Sequence, residues 1–378
     1  MWYKRYYELL VLGVNVLIFI VIINGGLYLY LENKQSSSNA ISTKYNISLE
    51  HYYPGMTQKE IDLLLQETWD RKRSLVYEPF TQFKEKSFVG KFVNISKEGF
   101  RKSFDQGIWP SGGNKGQYNI FLLGGSTAFG YGLVDEETVP SWLQKKINDT
   151  YPGRHIKLFN MGRSHYYSTQ ERLLFETLLT KNIIPDMVIF LDGLNDFYYN
   201  EDIPLFTKNF ELFTSGGFDG FFNLLRKGIV ELPIFQLYRH LINKSKKDRP
   251  DDFTKYQNKE VVDQVIKRYL LNKKLIEAVA DSFNIKTLFV WQPVPTYKLD
   301  LAKHIFSKNE GFGRHSYGRI GYEMFYVQYM KGQLGDKFVW CADITDNSKY
   351  PLYLDLVHYT AHMSEMIAEC ISENVIVN

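Results

Sequence analysis

The sequence predicts a doubly wound α/β fold, in which helices cover both faces of a parallel β-sheet. Five short apolar runs have the pattern of buried parallel strands, at residues 118–123, 156–159, 187–191, 286–291 and 337–341. Amphipathic helical patterns alternate with these runs along the chain. Alternation of this kind is typical of right-handed crossovers between parallel strands.

Length and composition favour a globular protein. The chain has 378 residues, of which 44% are hydrophobic and 23% charged, so it can bury a core. The formal net charge of +3 is too small to indicate a nucleic-acid partner, and we expect none. Cys341 and Cys370 have no C-x-x-C spacing, and one disulfide bridge or two free thiols are both compatible with the sequence.

The amino-terminal segment predicts a single transmembrane helix. Residues 9–31 carry no charge, and as a helix they would span roughly 34 Å, enough for a bilayer core. A secretory signal peptide is the alternative, although its apolar core is shorter and ends in a small-residue cleavage site. Lys4 and Arg5 precede the span, which places residues 1–8 in the cytoplasm and the rest of the chain outside it. Residues 32–55 then have the polar composition of a tether.

Residues 56–117 form a short preface to the main domain, which spans residues 118–378. The preface begins with the capping box Thr57-x-x-Glu60 and an amphipathic helix, and we expect it to serve in packing. In the main domain, helices are predicted at residues 138–148 and 168–180, the second with the capping box Ser168-x-x-Glu171. A third amphipathic helix of about 24 residues precedes the fourth strand.

An aromatic-rich insertion occupies approximately residues 198–259. It could act as a lid over the site, rest on the membrane surface, or simply pack on the sheet. Its phenylalanines are Phe206, Phe210, Phe213, Phe218, Phe221 and Phe222.

Three of the predicted strands end in residues that suit nucleophilic catalysis. Ser126 follows the first strand and the turn Gly124-Gly125, Gly162 follows the second strand, and Asn195 follows the third. Ligands bind at the carboxyl edge of open α/β sheets, so a serine there can reach a substrate. The backbone N–H of Gly162 and the side-chain amide of Asn195 could stabilise a developing oxyanion at the same edge.

A histidine and an aspartate near the carboxyl end complete the set of candidates. The spacing Asp355-x-x-His358 lets the carboxylate orient the imidazole, whose other nitrogen would then face the serine. His362 follows His358 by four residues, but no third metal ligand is evident and we expect no metal. His165 and His315 could fall near the site and bind substrate.

The order Ser, Gly, Asn, then Asp-x-x-His resembles that of the SGNH (GDSL-type) hydrolase superfamily. The resemblance covers residues 118–372 and implies Ser126, Asp355 and His358 as catalytic residues, with Ser126, Gly162 and Asn195 forming the oxyanion hole. It further implies a flavodoxin-like three-layer α/β/α sandwich and ester chemistry without metal or cofactor. The chain departs from the family's Gly-Asp-Ser block by having Gly125 before the serine.

The resemblance and the anchor together suggest an enzyme that removes acyl groups from cell-surface glycans, or one that adds them. An α/β-hydrolase is disfavoured because its elbow needs G-x-S-x-G and Ala128 stands two residues after Ser126. A phosphate-binding loop is disfavoured because Tyr131 occupies the position of its lysine. An inactive, membrane-tethered glycan-binding or scaffold protein remains the alternative from another class.

Overall fold

The structure is a computed structural model that describes most of the chain. The described residues are 2–36, 49–69, 75–107, 109, 116–214, 222, 225–226, 228–230, 232–235, 237–238, 253–302, 304–308, 311–345 and 350–377. The helices among them are α1 (Trp2–Ser36), α2 (Gln58–Trp69), α3 (Ser126–Phe129), α4 (Val139–Thr150), α5 (Ser168–Thr180), α6 (Leu194–Tyr198), α7 (Thr207–Thr214), α8 (Lys259–Ser282), α9 (Gly318–Met330) and α10 (Ala361–Ser372). The strands are β1 (Val76–Glu78), β2 (Gln82–Lys84), β3 (Phe88–Val89), β4 (Asn94–Ile95), β5 (Tyr118–Gly124), β6 (Ile156–Asn160), β7 (Met187–Asp192), β8 (Lys286–Trp291) and β9 (Phe338–Trp340).

The predicted parallel sheet is confirmed, and its strand order is β6-β5-β7-β8-β9. Every neighbouring pair in this order is parallel. This is the order of flavodoxin-like folds, in which the chain reverses direction across the sheet between its first and third strands, here β5 and β7. All five predicted strands are present, and each boundary agrees with the prediction within one residue.

Aliphatic side chains cover one face of the sheet. Ile120, Ile189 and Val290 belong to a buried cluster with residues of α4 and α10, including Leu143 and Ile367. Burial of apolar side chains in such a cluster is the main favourable contribution to folding.

One disulfide joins the sheet to this layer. Cys341, directly after β9, is bonded to Cys370 of α10, with 6.1 Å between their Cα atoms. The sequence leaves both a bridge and free thiols open, and the structure contains the bridge.

Aromatic side chains cover the opposite face. Phe190 of β7 stacks on Phe289 of β8, with ring centroids 5.4 Å apart, and Phe175 of α5 meets Phe190 edge-on. Trp291 at the end of β8 contacts Tyr269 of α8 and Phe325 of α9 at 4.9 and 4.5 Å. The helices α5, α8 and α9 therefore form the third layer of an α/β/α sandwich.

The preface is bound tightly to the main domain through a buried arginine. Arg101 is fully buried, and its Nε donates to Oδ1 of Asp135 at 2.9 Å. Its two terminal nitrogens donate to the carbonyl oxygens of Gly130 and Leu133, both at 2.5 Å. The guanidinium thus fixes the loop that follows α3.

A second compact unit comprises residues 1–46 and 206–249. Its helix α1 is long and apolar enough to cross a membrane, and it begins at Trp2, well before the predicted span. A signal sequence would have the same features. Within this unit Oδ1 of Asn24 accepts a hydrogen bond from the backbone N–H of Ile234 at 3.2 Å.

The aromatic-rich insertion is described in part. Phe222, Leu225 and Ile229 are exposed. Phe218 and Phe221 and the side chain of Phe213 lie outside the described residues.

Both helices with a predicted capping box begin where expected, at Gln58 and Ser168, but only one of the two boxes forms. The Thr57/Glu60 capping box forms, since Oε2 of Glu60 accepts from the N–H of Thr57 at 3.1 Å. The box at Ser168 does not, because Tyr167 is the cap residue and Oγ of Ser168 donates to Asp196 at 2.6 Å. Glu171 is instead buried beside Asp192, and burial raises the pKa of both carboxyl groups. The charge of Asp192 raises the pKa of Glu171 further, and the charge of Asp196 does the same for Asp192.

The last part of the predicted tether belongs to the domain that carries the sheet. Leu49 and Tyr53, which fall within residues 32–55, are both buried, and the hydroxyl of Tyr53 donates to the carbonyl oxygen of Gly132 at 2.9 Å. The domain that carries the sheet therefore includes residues that the sequence assigns to the tether.

His304 is a buried, neutral histidine in the same domain. Its ring contacts Phe306, Phe312 and Tyr353, and its Nδ1 accepts a hydrogen bond from the N–H of Ser307 at 3.2 Å. Burial lowers the pKa of His304 from 6.5 to about 4, because the charged imidazolium would lose its hydration there.

We expect this histidine to make stability depend on pH. Between about pH 6.5 and pH 4 the unfolded chain binds a proton at His304 that the folded chain does not, so the free energy of unfolding falls as the pH falls. The contribution is on the order of 3 kcal/mol. Denaturant unfolding of the full chain in detergent at pH 7 and pH 4.5 should show a smaller loss for His304→Asn than for wild type. Equal losses for the two proteins would contradict this prediction.

Candidate active site

The candidate nucleophile lies where the chain reverses direction across the sheet. Ser126 is the first residue of α3, which follows β5, and Asn195 is the second residue of α6, which follows β7. A Cβ on Gly125 would lie 2.4 Å from Nδ2 of Asn195 and 3.0 Å from the carbonyl oxygen of Tyr166, so a side chain there would displace the Asn195 amide. Gly125, at the position of the aspartate in Gly-Asp-Ser, therefore leaves room for the side-chain amide of Asn195.

The structure brings Ser126, His358 and Asp355 into one hydrogen-bonded chain. Nε2 of His358 lies 2.9 Å from Oγ of Ser126, and Nδ1 of His358 lies 2.7 Å from Oδ2 of Asp355. With the proton on Nδ1, the imidazole donates to the carboxylate and accepts from the serine hydroxyl. Ser126 is half-buried, so a substrate can reach its hydroxyl.

Asp355 is held as a carboxylate by several donors. Its Oδ1 accepts the backbone N–H groups of Val357 and His358 at 2.9 and 2.8 Å. Burial alone would raise the pKa of Asp355, but the charge and hydrogen bonds of His358 and the N–H of Val357 outweigh it and hold the pKa well below its usual value. The group that orients the imidazole therefore stays ionised at neutral pH.

Asn195 presents an amide beside the nucleophile. Its Nδ2 donates one hydrogen to the carbonyl oxygen of Tyr166 at 2.8 Å, which leaves the second hydrogen for another acceptor. Asp196 fixes the turn that carries it, since Oδ2 accepts from the N–H of Gly193 at 3.3 Å and Oδ1 accepts from Oγ of Ser168. The amide is thus held by contacts on both sides.

Gly162 does not present its N–H as the sequence predicts. That N–H donates to Oδ1 of Asn160 at 3.0 Å, so it is already engaged. A Cβ at Gly162 would overlap the backbone of Ala128 and Phe129, which means that the glycine lets the loop after β6 pack against α3. Gly162 therefore lies beside α3, where it allows close packing, but its N–H is not free to donate to a substrate.

His165 and His315 both lie close to this site and are neutral at pH 7. Nδ1 of His165 is 2.9 Å from the hydroxyl of Tyr199, and the ring of His315 contacts that of Tyr198 at 4.6 Å. Burial, with a smaller effect of the charge on His358, lowers the pKa of each to about 4. Their rings therefore offer uncharged hydrogen-bonding groups near the nucleophile.

Gln292 is a buried supporting residue that the sequence analysis missed. Its Oε1 accepts from Oγ1 of Thr127 at 2.7 Å and lies 2.8 Å from the hydroxyl of Tyr359. Its Nε2 donates to the carbonyl oxygen of Leu191 at 3.3 Å. One amide thus connects the residue after Ser126, the residue after His358 and the end of β7. No local signal marks it, because its partners are far away in sequence.

His362 lies on α10, where its ring contacts that of Tyr350 at 5.1 Å. Across the part of the chain that the structure describes, no group of three or more His, Cys, Asp or Glu side chains is arranged to hold a metal ion.

By sequence, the chain matches no protein-family model and no curated protein. By structure, it is similar to a member of the lipolytic protein G-D-S-L family from Veillonella parvula DSM 2008 (10% identity, 68% of this chain and 97% of that chain, TM-score 0.36). It is also similar to Axe2, an acetylxylan esterase from Geobacillus stearothermophilus (13%, 70% and 98%, TM-score 0.35), and to the psychrotrophic esterase EstA from Pseudoalteromonas sp. (15%, 68% and 96%, TM-score 0.35).

We expect Gln292→Met to slow the reaction of Ser126 with a fluorophosphonate by between about 10-fold and 100-fold. The variant removes the acceptor of Thr127 and one of the two acceptors of the Tyr359 hydroxyl, the other being the carbonyl oxygen of Pro293 at 2.6 Å, so the link between α3 and the loop of His358 is lost. Small misplacements of reacting groups cost rates of this size. Labelling rates with near-ultraviolet circular dichroism as a check on folding measure the effect. Gln328→Met, on the half-exposed surface of α9, is the matched control. An unchanged labelling rate for Gln292→Met would overturn the assigned role.

Proposed function

We propose that the protein is a serine ester hydrolase with Ser126, His358 and Asp355 as its catalytic triad. The observation that carries this proposal is the continuous hydrogen-bonded chain from Oγ of Ser126 through both nitrogens of His358 to Oδ2 of Asp355. A serine, a base within hydrogen-bond reach and a carboxylate that orients the base are the groups that acyl transfer requires.

The reaction begins when Oγ of Ser126 attacks the carbonyl carbon of an ester. Nε2 of His358 accepts the hydroxyl proton, and the carboxylate of Asp355 stabilises the imidazolium that forms. His358 then returns the proton to the departing alcohol, which leaves an acyl group on Ser126. Water, activated by His358 in the same way, hydrolyses this intermediate and restores the serine.

Two donors support an oxyanion at this site. The backbone N–H of Ser126 belongs to the first turn of α3 and has no acceptor within the helix, and Nδ2 of Asn195 has a second hydrogen beyond the one given to Tyr166. Gly162 would contribute only if its N–H left Oδ1 of Asn160. Each oxyanion donor of this kind typically accounts for about 10²–10³ in rate.

The substrate class we propose is the O-acyl ester of a cell-surface glycan, with the enzyme anchored in a membrane by α1. The apolar helix α1 supports an anchor, and the positive charges of Lys4 and Arg5 support a cytoplasmic amino terminus with the catalytic domain on the other side. In such a location the accessible esters include those on surface polysaccharides. Transfer of the acyl group to a glycan hydroxyl, in place of water, would use the same residues.

We expect Ser126→Ala to abolish turnover of p-nitrophenyl acetate by the full chain in detergent. Asp355→Asn should lower kcat by about 10³-fold or more, because an amide that donates to Nδ1 would leave Nε2 protonated and unable to accept the serine proton. Release of p-nitrophenolate measures both effects. Ser282→Ala, at the exposed end of α8, is the matched control and should match wild type.

Turnover that survives in Ser126→Ala would refute the triad. A wild-type protein that neither turns over the ester nor reacts with a fluorophosphonate would favour the scaffold alternative. Adding a candidate polysaccharide separates hydrolase from transferase: acyl groups appearing on the sugar would show that a glycan hydroxyl competes with water.

A further inference from the structure

A small cavity lies next to the triad, between the preface and the loop after α3. Its volume is about 180 Å³. Pockets that hold a whole drug-sized ligand measure roughly 300–1,000 Å³, so this one has room for a single group of a larger substrate. Nothing in the proposed triad chemistry makes use of it.

Two walls of the cavity are aromatic rings that also touch the catalytic histidine. Tyr131 stacks on His358 with ring centroids 5.4 Å apart, and Trp69 meets the same imidazole edge-on at 6.1 Å. Trp69 and Tyr131 contact each other at 6.0 Å, and Phe129 supports Tyr131 from below at 5.1 Å. A group bound in the cavity therefore lies one aromatic ring away from the base of the triad.

Two of the residues that line the cavity each carry a buried oxygen atom without a hydrogen-bond partner among the described residues. These atoms are Oγ1 of Thr68 and Oε2 of Glu85, in side chains only 5% exposed. The other carboxylate oxygen of Glu85 accepts the N–H of Ser164 at 2.7 Å, which fixes the side chain in place. Buried polar atoms are rarely left unsatisfied, so each of these calls for a partner beyond the residues that the structure describes.

We propose that this cavity is a subsite for a neutral, hydroxyl-bearing ring of the substrate, that is, a sugar residue next to the acylated position. The aromatic faces of Trp69 and Tyr131 contact the ring, while its hydroxyl groups bond to Glu85 and Thr68. This inference rests on the proposed ester hydrolase function and names the part of the substrate that lies beyond the ester. The preface then contributes to binding as well as to packing.

Other occupants fit the lining less well. An alkyl acyl chain would leave the oxygens of Glu85 and Thr68 buried without partners, which costs free energy. Glu85 and Lys86 both line the cavity, so the lining favours neither an anionic nor a cationic group. Hydroxyl groups both donate and accept, so they suit the carboxyl group of Glu85 in either protonation state, and burial raises its pKa.

The test compares two acetate esters that differ in the ring. The full chain in detergent is assayed with 6-O-acetyl-D-glucose and with ethyl acetate, and the ratio of the two kcat/KM values reports the contribution of the ring. We expect Glu85→Gln, which keeps an acceptor for Ser164 but replaces the free acceptor by a donor, to lower this ratio about tenfold, chiefly through KM. Thr68→Val, which preserves shape and removes only the hydroxyl, should lower it in the same direction. Glu98→Gln, exposed in the preface, is the matched control.

The outcomes separate a failed subsite from a failed activity. Equal losses on both esters in Glu85→Gln and Thr68→Val would mean that the residues only support the fold, and unchanged ratios would mean that no ring binds there; either result overturns the proposal. If wild type hydrolyses neither ester, the proposed activity fails, and saturation-transfer difference NMR of glucose with the same proteins decides the subsite. Saturation transfer to glucose that is lost with Glu85→Gln and kept with Glu98→Gln supports the subsite. No saturation transfer from the wild-type protein to glucose overturns it.

Discussion

The hydrogen bond between His358 and Ser126 is the interaction on which the functional interpretation depends. It joins residues 232 positions apart, and no local preference of the chain can form it. It exists because β5 ends at the carboxyl edge of the parallel sheet beside the central strand β7, where the chain reverses direction, and because the loop of His358 is held at the same edge. The side-chain amide of Gln292 stabilises this arrangement. Its Oε1 atom lies within hydrogen-bond distance of Thr127 and Tyr359, the residues that follow Ser126 and His358.

A second constraint is the lack of space for side chains around the nucleophile, where the chain has glycines. A Cβ on Gly125 would meet the amide of Asn195, and a Cβ on Gly162 would meet the backbone of α3. Gly193 has φ of +118° and lies against the hydroxyl of Tyr322, so a side chain there would be both strained and obstructed. The residues before and beside the predicted oxyanion site are therefore determined by close packing of backbone and amide groups.

The sequence predicted what depends on local pattern. Buried parallel strands are continuous apolar runs, so all five were found, and the Thr57 capping box formed because both partners lie within one turn. Predictions that ignored distant competitors were less successful: Ser168 binds Asp196 in place of capping its helix, and the N–H of Gly162 is taken by Asn160. Gln292 carried no signal at all, because its role is defined by long-range contacts. The preface is a further example. Its composition predicts that it packs on the main domain, but it does not predict that oxygen atoms of Thr68 and Glu85 are buried.

The most direct test of the central claim is to look for the acyl group on the serine. Wild-type protein and His358→Ala would each be mixed with p-nitrophenyl acetate, quenched in acid within one turnover and analysed by peptide mass spectrometry. The account predicts an acetyl group on the peptide that contains Ser126 in the wild type and none in His358→Ala. Turnover by the wild type with no acetylated Ser126, or acetylation of Ser126 to the same extent in both proteins, would contradict it.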